Sequence, residues 1–419
     1  MLPLGKKNPH ELCSSGMTYD VIIIGGGAAG VFAAISAKKA FPQASVLLLE
    51  KSSSLLGKVR ISGGGRCNVT HACFDPRLLV KHYPRGEKEL LGPFCRFNPE
   101  HTIQWFLEHG VTLKTEKDGR MFPTTDSSST IIDTLLSAAS QAHVEILTRQ
   151  SLTSLDYRDN LFYCYSESNT FIAKSLILAT GSNPQGWKWA EALGHTIIPP
   201  VPSLFTFNIP SSPLKHLSGV SLDHVSLHLP GFSYTQEGPL LITHFGFSGP
   251  AILKLSAWGA RFLHERNYHT EVIVNWLPTL SEQKIFTTLI DSKKTAPHAT
   301  LLSANPFNLP KNFWKTFVEE RYLTTSMAEI PHDSLKNLAN KLHASSYLIE
   351  GKTTHKEEFV TCGGVHLKEI HCKTMESKLC PSLFFAGEIL NIDGITGGFN
   401  FQNAWTTGFI AGSSSRLIK

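Results

Sequence analysis

The residues that could do chemistry begin with a glycine-rich turn. Gly25, Gly27 and Gly30 have the spacing G-x-G-x-x-G, directly after an apolar segment and at the start of an alanine-rich one. In this pattern the first glycine makes a tight turn, the second lets the backbone approach a diphosphate, and the third lets a helix pack on a strand. The N-terminus of that helix, at Ala28 and Ala29, would donate N–H groups to the diphosphate.

An acidic residue follows at the spacing that this motif requires. Glu50 comes twenty positions after Gly30, at the predicted end of a second strand, and Lys51 is next to it. A carboxylate there can accept hydrogen bonds from the ribose hydroxyls of an adenosine, and it disfavours a phosphate on that ribose. The turn and the acidic residue together predict a bound dinucleotide.

A second glycine-rich segment indicates which dinucleotide this is. Residues 57–68 read GKVRISGGGRCN. Glycines beside lysine and arginine predict a cationic loop with an exposed backbone, which suits a diphosphate and the edge of a flavin ring. A flexible surface loop is the alternative. The candidate cofactor-binding residues of this segment are Lys58, Gly64, Gly65, Arg66, Cys67 and Asn68.

Two later segments add candidates at the predicted ends of apolar strands. One is the sequence ATG that begins at Ala179, and the other contains Glu388, whose carboxylate could accept hydrogen bonds from ribityl hydroxyls. A helix that begins after Gly398 would stabilise the negative charge of a reduced flavin with its N-terminus. Ordinary turns and a plain C-terminal helix are the alternatives. The candidates are Ala179, Thr180, Gly181, Gly387, Glu388, Asp393, Gly397, Gly398, Phe399 and Asn400.

Several predicted strands and helices carry these segments. A strand at Tyr19–Ile24, a helix at Ala28–Phe41 and a strand at Ala44–Leu49 make a complete βαβ unit. The other elements that matter below are two separate strands at Phe171–Ala173 and Ser175–Ala179, a strand at Leu383–Ala386, and helices at Ser127–Ala142, Gln283–Asp291, Lys311–Arg321, Ser334–Leu342 and Gly398–Leu417.

Four motifs give the chain a close resemblance to a known family. They are Gly57–Asn68, Thr243–Pro250, Thr361–Val365 and Phe385–Ala404. The chain resembles, over nearly its whole length from Met17, the NAD(P)/FAD-dependent oxidoreductases also called aminoacetone-oxidase-family FAD-binding enzymes. The resemblance implies an FAD domain of the glutathione-reductase type with an insert that has a β-barrel and a helical part. One branch of that family resembles bile-acid enone reductases.

The expected fold is therefore α/β, with a discontinuous Rossmann-like FAD-binding domain and an inserted β-barrel plus helical domain. We expect a flexible tail at residues 1–16 and the first part of the FAD domain at 17–197. An inserted mixed β/helical substrate domain follows at 198–354, and the second part of the FAD domain at 355–419. Prolines crowd the interval after residue 197, which marks the first boundary.

Composition limits the other possibilities. The net charge of +5 is not concentrated in any Lys/Arg run, so we expect no nucleic-acid partner. No apolar stretch reaches the roughly 18 residues of a membrane span, and a cytoplasmic protein is expected. No histidine or cysteine spacing indicates a metal site. Cys67 and Cys73 have five residues between them, whereas disulfide reductases of this superfamily have four, so a redox pair is not expected.

The sequence therefore predicts an FAD-dependent oxidoreductase that transfers hydride through flavin N5 to or from an unidentified small molecule. No second G-x-G-x-x-G unit occurs, so either NADH or NADPH docks transiently as reductant or the substrate itself reduces the flavin. No catalytic acid or base is singled out, and the oligomeric state stays open. An RNA-modifying flavoprotein and a non-enzymatic flavin sensor or scaffold are the alternatives.

Overall fold

The computed structural model describes residues 18–353 and 360–415. The predicted tail at residues 1–16 lies outside these ranges. The described chain forms two compact units. One comprises the residues up to Pro200 together with those from Val360 onward, and the other comprises the residues between them.

The strands of both units are short, and in chain order they are the following. They are β1 (Thr18–Ile24), β2 (Val46–Leu49), β3 (Thr70–His71), β4 (Leu113–Thr115), β5 (Arg120–Pro123), β6 (Glu145–Leu147), β7 (Leu152–Arg158), β8 (Leu161–Ser166), β9 (Thr170–Leu178), β10 (Ile197–Ser203), β11 (Thr206–Asn208), β12 (Ser221–His228), β13 (Thr235–Ile242), β14 (Gly246–Ser248), β15 (His269–Asn275), β16 (Ser345–Glu350), β17 (Lys352–Thr353), β18 (Val360–Val365), β19 (Ile370–His371), β20 (Glu376–Ser377) and β21 (Leu383–Phe385).

The α-helices in the described residues are the following. They are α1 (Ala28–Ala40), α2 (Gly57–Gly65), α3 (Pro76–Leu79), α4 (Glu87–Arg96), α5 (Pro99–Glu108), α6 (Ser128–Gln141), α7 (Pro184–Ala192), α8 (Pro250–Trp258), α9 (Ala260–Glu265), α10 (Glu282–Thr295), α11 (Leu301–Ala304), α12 (Lys311–Phe317), α13 (His332–His343) and α14 (Phe399–Ser414).

A nine-stranded sheet forms the centre of the first unit. Its parallel part has the order β21-β9-β1-β2-β6, with Ile22 of β1 opposite Leu47 on one side and Leu176 on the other. These three residues are fully buried, as is typical of parallel strands that are covered on both faces. Strands β7 and β8 extend the sheet through β9, and β19 and β20 extend it beyond β21.

The first and last described helices of this unit pack directly against each other. A Cβ at Gly408 of α14 would lie 2.6 Å from the Ala29 carbonyl oxygen of α1, and one at Gly412 would lie 2.2 Å from that of Ala33. Only glycine allows two helix backbones to approach so closely. The C-terminal part of the chain is therefore an integral part of the N-terminal βαβ unit.

The second unit is built on a seven-stranded antiparallel sheet with helices around it. The strand order is β16-β15-β12-β13-β14-β11-β17. One apolar cluster joins this sheet to helices α8 to α13, and Trp276 and Trp314 are among its largest fully buried side chains. The unit thus has a core of its own.

Three local predictions of secondary structure are wrong. Phe171–Ala173 and Ser175–Ala179 are not separate strands, because β9 continues through Lys174. The helix expected at Lys311–Arg321 ends at Phe317, because Val318 takes an extended conformation. The segment that starts at Gly57 is not a loop throughout: it begins as helix α2, and residues 62–64 within it are non-helical.

Candidate cofactor site

The turn between β1 and α1 has the geometry that its glycines predict. Gly25 has a φ of +112°, and a Cβ there would lie 2.4 Å from the Ala179 carbonyl oxygen. A Cβ at Gly30 would lie 1.9 Å from the carbonyl oxygen of Gly25. At Gly27, by contrast, a Cβ would meet no atom within 4 Å. Gly25 and Gly30 thus allow close packing, whereas Gly27 leaves an open approach to the helix N-terminus.

Helix α1 presents backbone donors at this open approach. Its first intrahelical hydrogen bond goes from the Val31 N–H to the Gly27 carbonyl oxygen at 3.0 Å. The N–H groups of Ala28, Ala29 and Gly30 therefore have no acceptor within the helix. Together with the helix dipole they form a site for an anion such as a diphosphate.

Glu50 is tied into the same turn. Its Oε2 accepts the Gly26 N–H at 2.7 Å, and its Oε1 accepts the N–H and the hydroxyl of Ser52 at 2.8 and 2.7 Å. Each carboxylate oxygen has two lone pairs, so a ribose hydroxyl could still be accepted at Oε2. The neighbouring Lys51 is exposed.

The second glycine-rich segment carries a lysine that reaches the C-terminal motif. The Lys58 ammonium donates to Glu388 Oε2 at 2.5 Å and to the Ser182 hydroxyl at 3.2 Å. Glu388 Oε1 accepts the Thr361 N–H at 3.0 Å. A Cβ at Gly181 would lie 3.7 Å from Glu388, so the ATG turn adjoins this pair. Four distant segments of the sequence thus meet at one carboxylate.

The end of α2 combines an open glycine backbone with a paired arginine. Gly64 and Gly65 have φ values of +68° and +83°, and a Cβ at either would meet no atom within 4 Å. Arg66 donates to Glu116 at 2.7 Å, and its guanidinium lies 4.1 Å from the centre of the Phe122 ring. The backbone of this segment is thus open to a ligand, while the charge of Arg66 is already compensated.

Several buried polar atoms of this unit have no hydrogen-bond partner among the described residues, and three of them bear on the site. They are the Thr180 and Thr361 hydroxyls and the Asn403 amide oxygen. Thr361 and Asn403 are each 2% exposed. An unpaired polar group in such a place costs stability unless a ligand or water satisfies it. Thr180 is a predicted cofactor-binding residue, and Asn403 lies about one helical turn beyond the predicted residue Asn400. Thr361 begins one of the four motifs that carry the family resemblance.

The side chains of two predicted C-terminal residues are engaged within the protein. Asp393 is fully buried and forms a two-pronged ion pair with Arg85, in which Nε lies 2.5 Å from Oδ1. The Asn400 amide accepts the Gly394 N–H and donates to the Gly394 carbonyl, both at 2.9 Å. These two residues therefore shape the turn before α14, and a ligand would meet their backbone.

Gly398 closes the same turn against the second glycine-rich segment. It has a φ of +93°, and a Cβ there would lie 2.5 Å from the Thr70 carbonyl oxygen. With its amide oxygen toward Gly398, Asn68 accepts the Gly398 N–H at 2.9 Å and donates to Thr70 at 3.0 Å. The donors left at the start of α14 are the N–H groups that precede Gln402, whose N–H makes the first intrahelical bond.

Phe399, the first residue of α14, is buried and contacts two histidines. Its ring lies 4.6 Å from that of His71 and 4.3 Å from that of His82, with interplanar angles of 21° and 20°. The Gly397 position is also close to His71, since a Cβ there would lie 3.5 Å from the ring. The predicted contact of Gly397, Gly398 and Phe399 with a cofactor would again be through the backbone.

The cysteines near this segment have the properties of packed thiols. Burial raises the pKa of Cys67 to about 12, and this residue is fully buried with a φ of +60°. Burial and the Asp75 carboxylate raise the pKa of Cys73. A thiolate, the reactive form, is disfavoured at both positions.

These residues fit FAD in the chemistry of their donors and in the space that the glycines leave. The α1 N-terminus and the open backbone of Gly64 and Gly65 suit a diphosphate, and Glu50 suits an adenosine ribose. The Thr361 and Asn403 atoms are available to further polar groups.

The comparisons with known proteins agree with this fit. Residues 19–414 match the family described as HI0933-like protein Rossmann domain. The chain belongs to this family. It is 28% identical to the 3-dehydro-bile acid delta(4,6)-reductase of Clostridium scindens over 94% of this chain and 98% of the relative. It is 30% identical to the ribosomal RNA dihydrouridine synthase of Haemophilus influenzae over 93% of this chain and 96% of the relative.

A solved structure supports the fold. The 3-ketosteroid-delta4-(5alpha)-dehydrogenase of Rhodococcus jostii RHA1 superposes with a TM-score of 0.52 at 15% identity, covering 96% of this chain and 98% of the other. The recognition of the family and of the α/β Rossmann-type fold from the sequence is therefore confirmed. The chain is an FAD-dependent oxidoreductase.

Several residues of this site carry no local sequence signal. Arg85, Tyr83 and His82 precede α4 in a segment for which the sequence suggests nothing. Asn403 and Thr407 had a signal that could have been used: they are polar residues four positions apart and therefore lie on one face of α14. The Thr407 hydroxyl accepts the Gly387 N–H at 2.8 Å, so Gly387, the residue before Glu388, is held against α14.

Residues 18–353 and 360–415 hold neither a cluster of metal ligands nor a membrane-spanning helix. No group of three or more His, Cys, Asp or Glu side chains there could hold a metal ion. None of the helices there has both the length and the apolar character to cross a membrane.

Proposed function

We propose that this protein reduces a carbon–carbon double bond that is conjugated with a carbonyl group. The observation that carries the proposal is the likeness, over more than nine tenths of the chain, to two enzymes with different substrates. A 3-dehydro-bile acid has a ring ketone, and a delta(4,6)-reductase saturates double bonds conjugated with it. Dihydrouridine differs from uridine by two hydrogens across a ring double bond that is conjugated with a ring carbonyl.

The chain's own residues would hold the cofactor in the following way. The N–H groups of Ala28, Ala29 and Gly30 would bind the diphosphate, and Glu50 would accept from the adenosine ribose. Glu388, held by Lys58 and by the Thr361 N–H, would face the ribityl hydroxyls. When bound, FAD supplies the hydride through its N5 atom.

The first residues of α14 would provide the electrostatic part of the reaction. Their N–H groups carry the positive end of the helix dipole, equivalent to about half an elementary charge. A dipole fixed toward the pyrimidine edge of the flavin stabilises the negative charge that reduction places there. The turn before α14 is held by Asn68 and Asn400, so these donors do not need to reorganise.

A small cyclic enone is the substrate class that we propose first. The second unit has 14 lysines and arginines against 13 aspartates and glutamates in residues 201–359. Nucleic-acid affinity comes mainly from contacts of cationic side chains with phosphates. A nearly equal number of cationic and acidic side chains provides little net attraction for phosphates.

We propose NADH or NADPH as the source of electrons.

A second candidate substrate is a uridine in ribosomal RNA. The 30% identity to the Haemophilus influenzae enzyme favours it. In both candidates the bond that is reduced is a ring double bond conjugated with a carbonyl. The two candidates therefore differ in the substrate molecule and not in the reaction.

The test uses the purified full-length protein in three steps. The cofactor released by heat is identified by chromatography, with FAD expected and FMN contradicting the assignment. The flavin is then reduced anaerobically with NADH, NADPH or dithionite. Its reoxidation is followed after addition of a cyclic enone steroid, the matching saturated ketone, or unmodified ribosomal RNA.

Reoxidation by the enone and not by the saturated ketone is the expected result. Reoxidation by RNA alone would assign the second candidate. Reoxidation by oxygen but by neither substrate class would refute the proposed reaction.

A further inference from the structure

A short segment before α4, residues 82–86, contacts the turn that leads into α14 at several points. The His82 carbonyl accepts the Ile395 N–H at 2.9 Å, and the Tyr83 hydroxyl donates to the Phe399 carbonyl at 2.6 Å. Arg85 and Asp393 form a backbone bridge in addition to their ion pair. We call residues 82–86 the clamp segment.

The ion pair between Arg85 and Asp393 is the strongest of these contacts. The Asp393 side chain is completely buried, and that of Arg85 is 16% exposed. Two parallel N–H···O bonds from a planar guanidinium fix both the distance and the orientation of a carboxylate. The geometry of this pair therefore sets the position of the first residue of the turn.

Packing contacts complete the clamp. A Cβ at Gly86 would lie 2.8 Å from the Ile392 side chain, so the backbone of the segment lies directly against the start of the turn. The Tyr83 ring likewise touches Gly394, where a Cβ would lie 3.1 Å from it. His82 stacks on Phe399 at the other end of the turn. The clamp segment thus spans the turn from beginning to end.

The turn needs such support because of its composition. Gly394, Gly397 and Gly398 lie within five residues of one another, and two of them have positive φ values of +130° and +93°. A segment so rich in glycine has many accessible conformations. The electrostatic effect of the α14 N-terminus depends on a fixed placement of its donors.

We propose that the clamp segment positions the turn and the N-terminus of α14 against the flavin, with Arg85 as the main positioning residue. The clamp segment is thereby a device that sets the reduction potential of the flavin. The inference rests on the proposed function of this site as the FAD site. Loosening the clamp weakens the interaction of α14 with reduced FAD more than that with oxidised FAD.

The test compares three variants of the full-length protein. Arg85→Lys keeps the positive charge and removes the planar fork, and Tyr83→Phe removes only the hydrogen bond to the Phe399 carbonyl. Lys174→Ala is the matched control, because it breaks the ion pair with Asp20 near the start of β1, the end remote from Gly25. The affinity for oxidised FAD and the midpoint potential are measured for each variant.

The expected result for Arg85→Lys is a roughly tenfold loss of affinity for reduced FAD relative to oxidised FAD. This corresponds to a midpoint potential lower by about 30 mV for a two-electron couple. Tyr83→Phe changes the potential in the same direction by a smaller amount, and Lys174→Ala leaves it unchanged.

An unchanged potential in Arg85→Lys and Tyr83→Phe proteins that still bind oxidised FAD would overturn the inference. Loss of oxidised FAD from both variants would also overturn it, because the segment would then serve binding and not the placement of α14. If Arg85→Lys alone fails to fold, the potential of Tyr83→Phe decides. A wild-type protein that binds no FAD would instead refute the proposed function, so the two failures are distinguishable.

Discussion

Glu50 and Gly26 are joined by a hydrogen bond of 2.7 Å from the glycine N–H to the carboxylate. The acidic residue at the end of β2 therefore fixes the conformation of the glycine-rich turn, besides being available to a ribose. The turn that exposes the α1 donors and the residue that would bind the adenosine are thus parts of one structure. Removal of the carboxylate acts on both.

Glu50→Ala should weaken FAD binding for this double reason. A hydrogen bond that involves a charged group contributes about 1.5 to 3 kcal/mol, and each 1.4 kcal/mol is a tenfold change in affinity. We expect a loss of roughly tenfold to a hundredfold, measured by titration of the apo-protein with FAD.

Glu50→Gln is the matched control, because it keeps one oxygen acceptor and the length of the side chain. It should lose less affinity than Glu50→Ala. Equal affinity of Glu50→Ala and wild type would show that Glu50 serves only the local turn.

Gly398→Ala should destabilise the first unit more than an ordinary glycine substitution does. Gly398 combines a positive φ with a Cβ position 2.5 Å from the Thr70 carbonyl oxygen. The left-handed conformation costs an L-residue about 1 to 2 kcal/mol, and the overlap adds about 1 to 3 kcal/mol.

Gly194→Ala isolates the first of these effects. Gly194 has a φ of +95°, yet a Cβ there would meet no atom within 4 Å. The loss in the free energy of unfolding caused by Gly194→Ala, measured with urea, should be smaller than that caused by Gly398→Ala by at least about 1 kcal/mol. Equal losses in the two variants would mean that the turn at Gly398 relaxes freely.

Cys67 and Cys73 should not act as a redox pair with the flavin. Burial raises the pKa of Cys67 to about 12, so no thiolate is available near neutral pH to interact with the flavin. We expect Cys73→Ser to keep the rate of flavin reduction, and we expect no long-wavelength charge-transfer band on two-electron reduction. A band that is present in wild type and absent in Cys73→Ser would contradict this.

His195 should make the stability of the first unit depend on pH. Its Nδ1 lies 3.1 Å from Glu369, and its Nε2 lies 2.7 Å from the Ser377 hydroxyl. Burial lowers its pKa below the ordinary 6.5, although the carboxylate acts in the opposite direction. The unfolded chain therefore binds the proton more readily, and stability present above pH 6.5 is lost as the pH falls below it.

Glu369 acts in the same direction at lower pH. Burial alone would raise its pKa, but hydrogen bonds from Thr196 and His195 lower it below the ordinary 4.5. Thermal unfolding between pH 7 and pH 4 should show a falling midpoint. The slope should flatten between pH 6.5 and 5 in His195→Gln and persist in the control His371→Gln, which changes an exposed histidine. Identical slopes in all three proteins would exclude His195 as the cause.

The sequence predicted the parts of the site that depend on near neighbours. Gly25, Gly27 and Gly30 precede a helix and follow a strand, and this local order is sufficient to predict the open helix N-terminus. The assignment of these and the other site residues to FAD contacts stays a prediction. A local pattern also misled at α2, where four glycines suggested a loop although the first residues form a helical turn.

The contacts between distant segments could not be predicted in this way. Arg85 and Asp393 are 308 positions apart, and nothing in the neighbourhood of either indicates the other. Gln402 likewise accepts hydrogen bonds from Thr70 and Thr102, which are 332 and 300 positions away. A single sequence gives the type of each side chain but not the tertiary partner, because pairing depends on the packed arrangement of whole elements.

The glycine contacts between α1 and α14 have a consequence for biosynthesis. About 360 residues separate the two helices, which the ribosome adds in roughly 20 to 70 s at 5 to 20 residues per second. During that time α1 lacks the neighbour that covers its backbone at Ala29 and Ala33. The nascent βαβ unit therefore keeps an apolar surface exposed during this time. The second unit, which is continuous in sequence, can already form its own core. Protection by a chaperone, or early binding of the cofactor, would matter most in this interval.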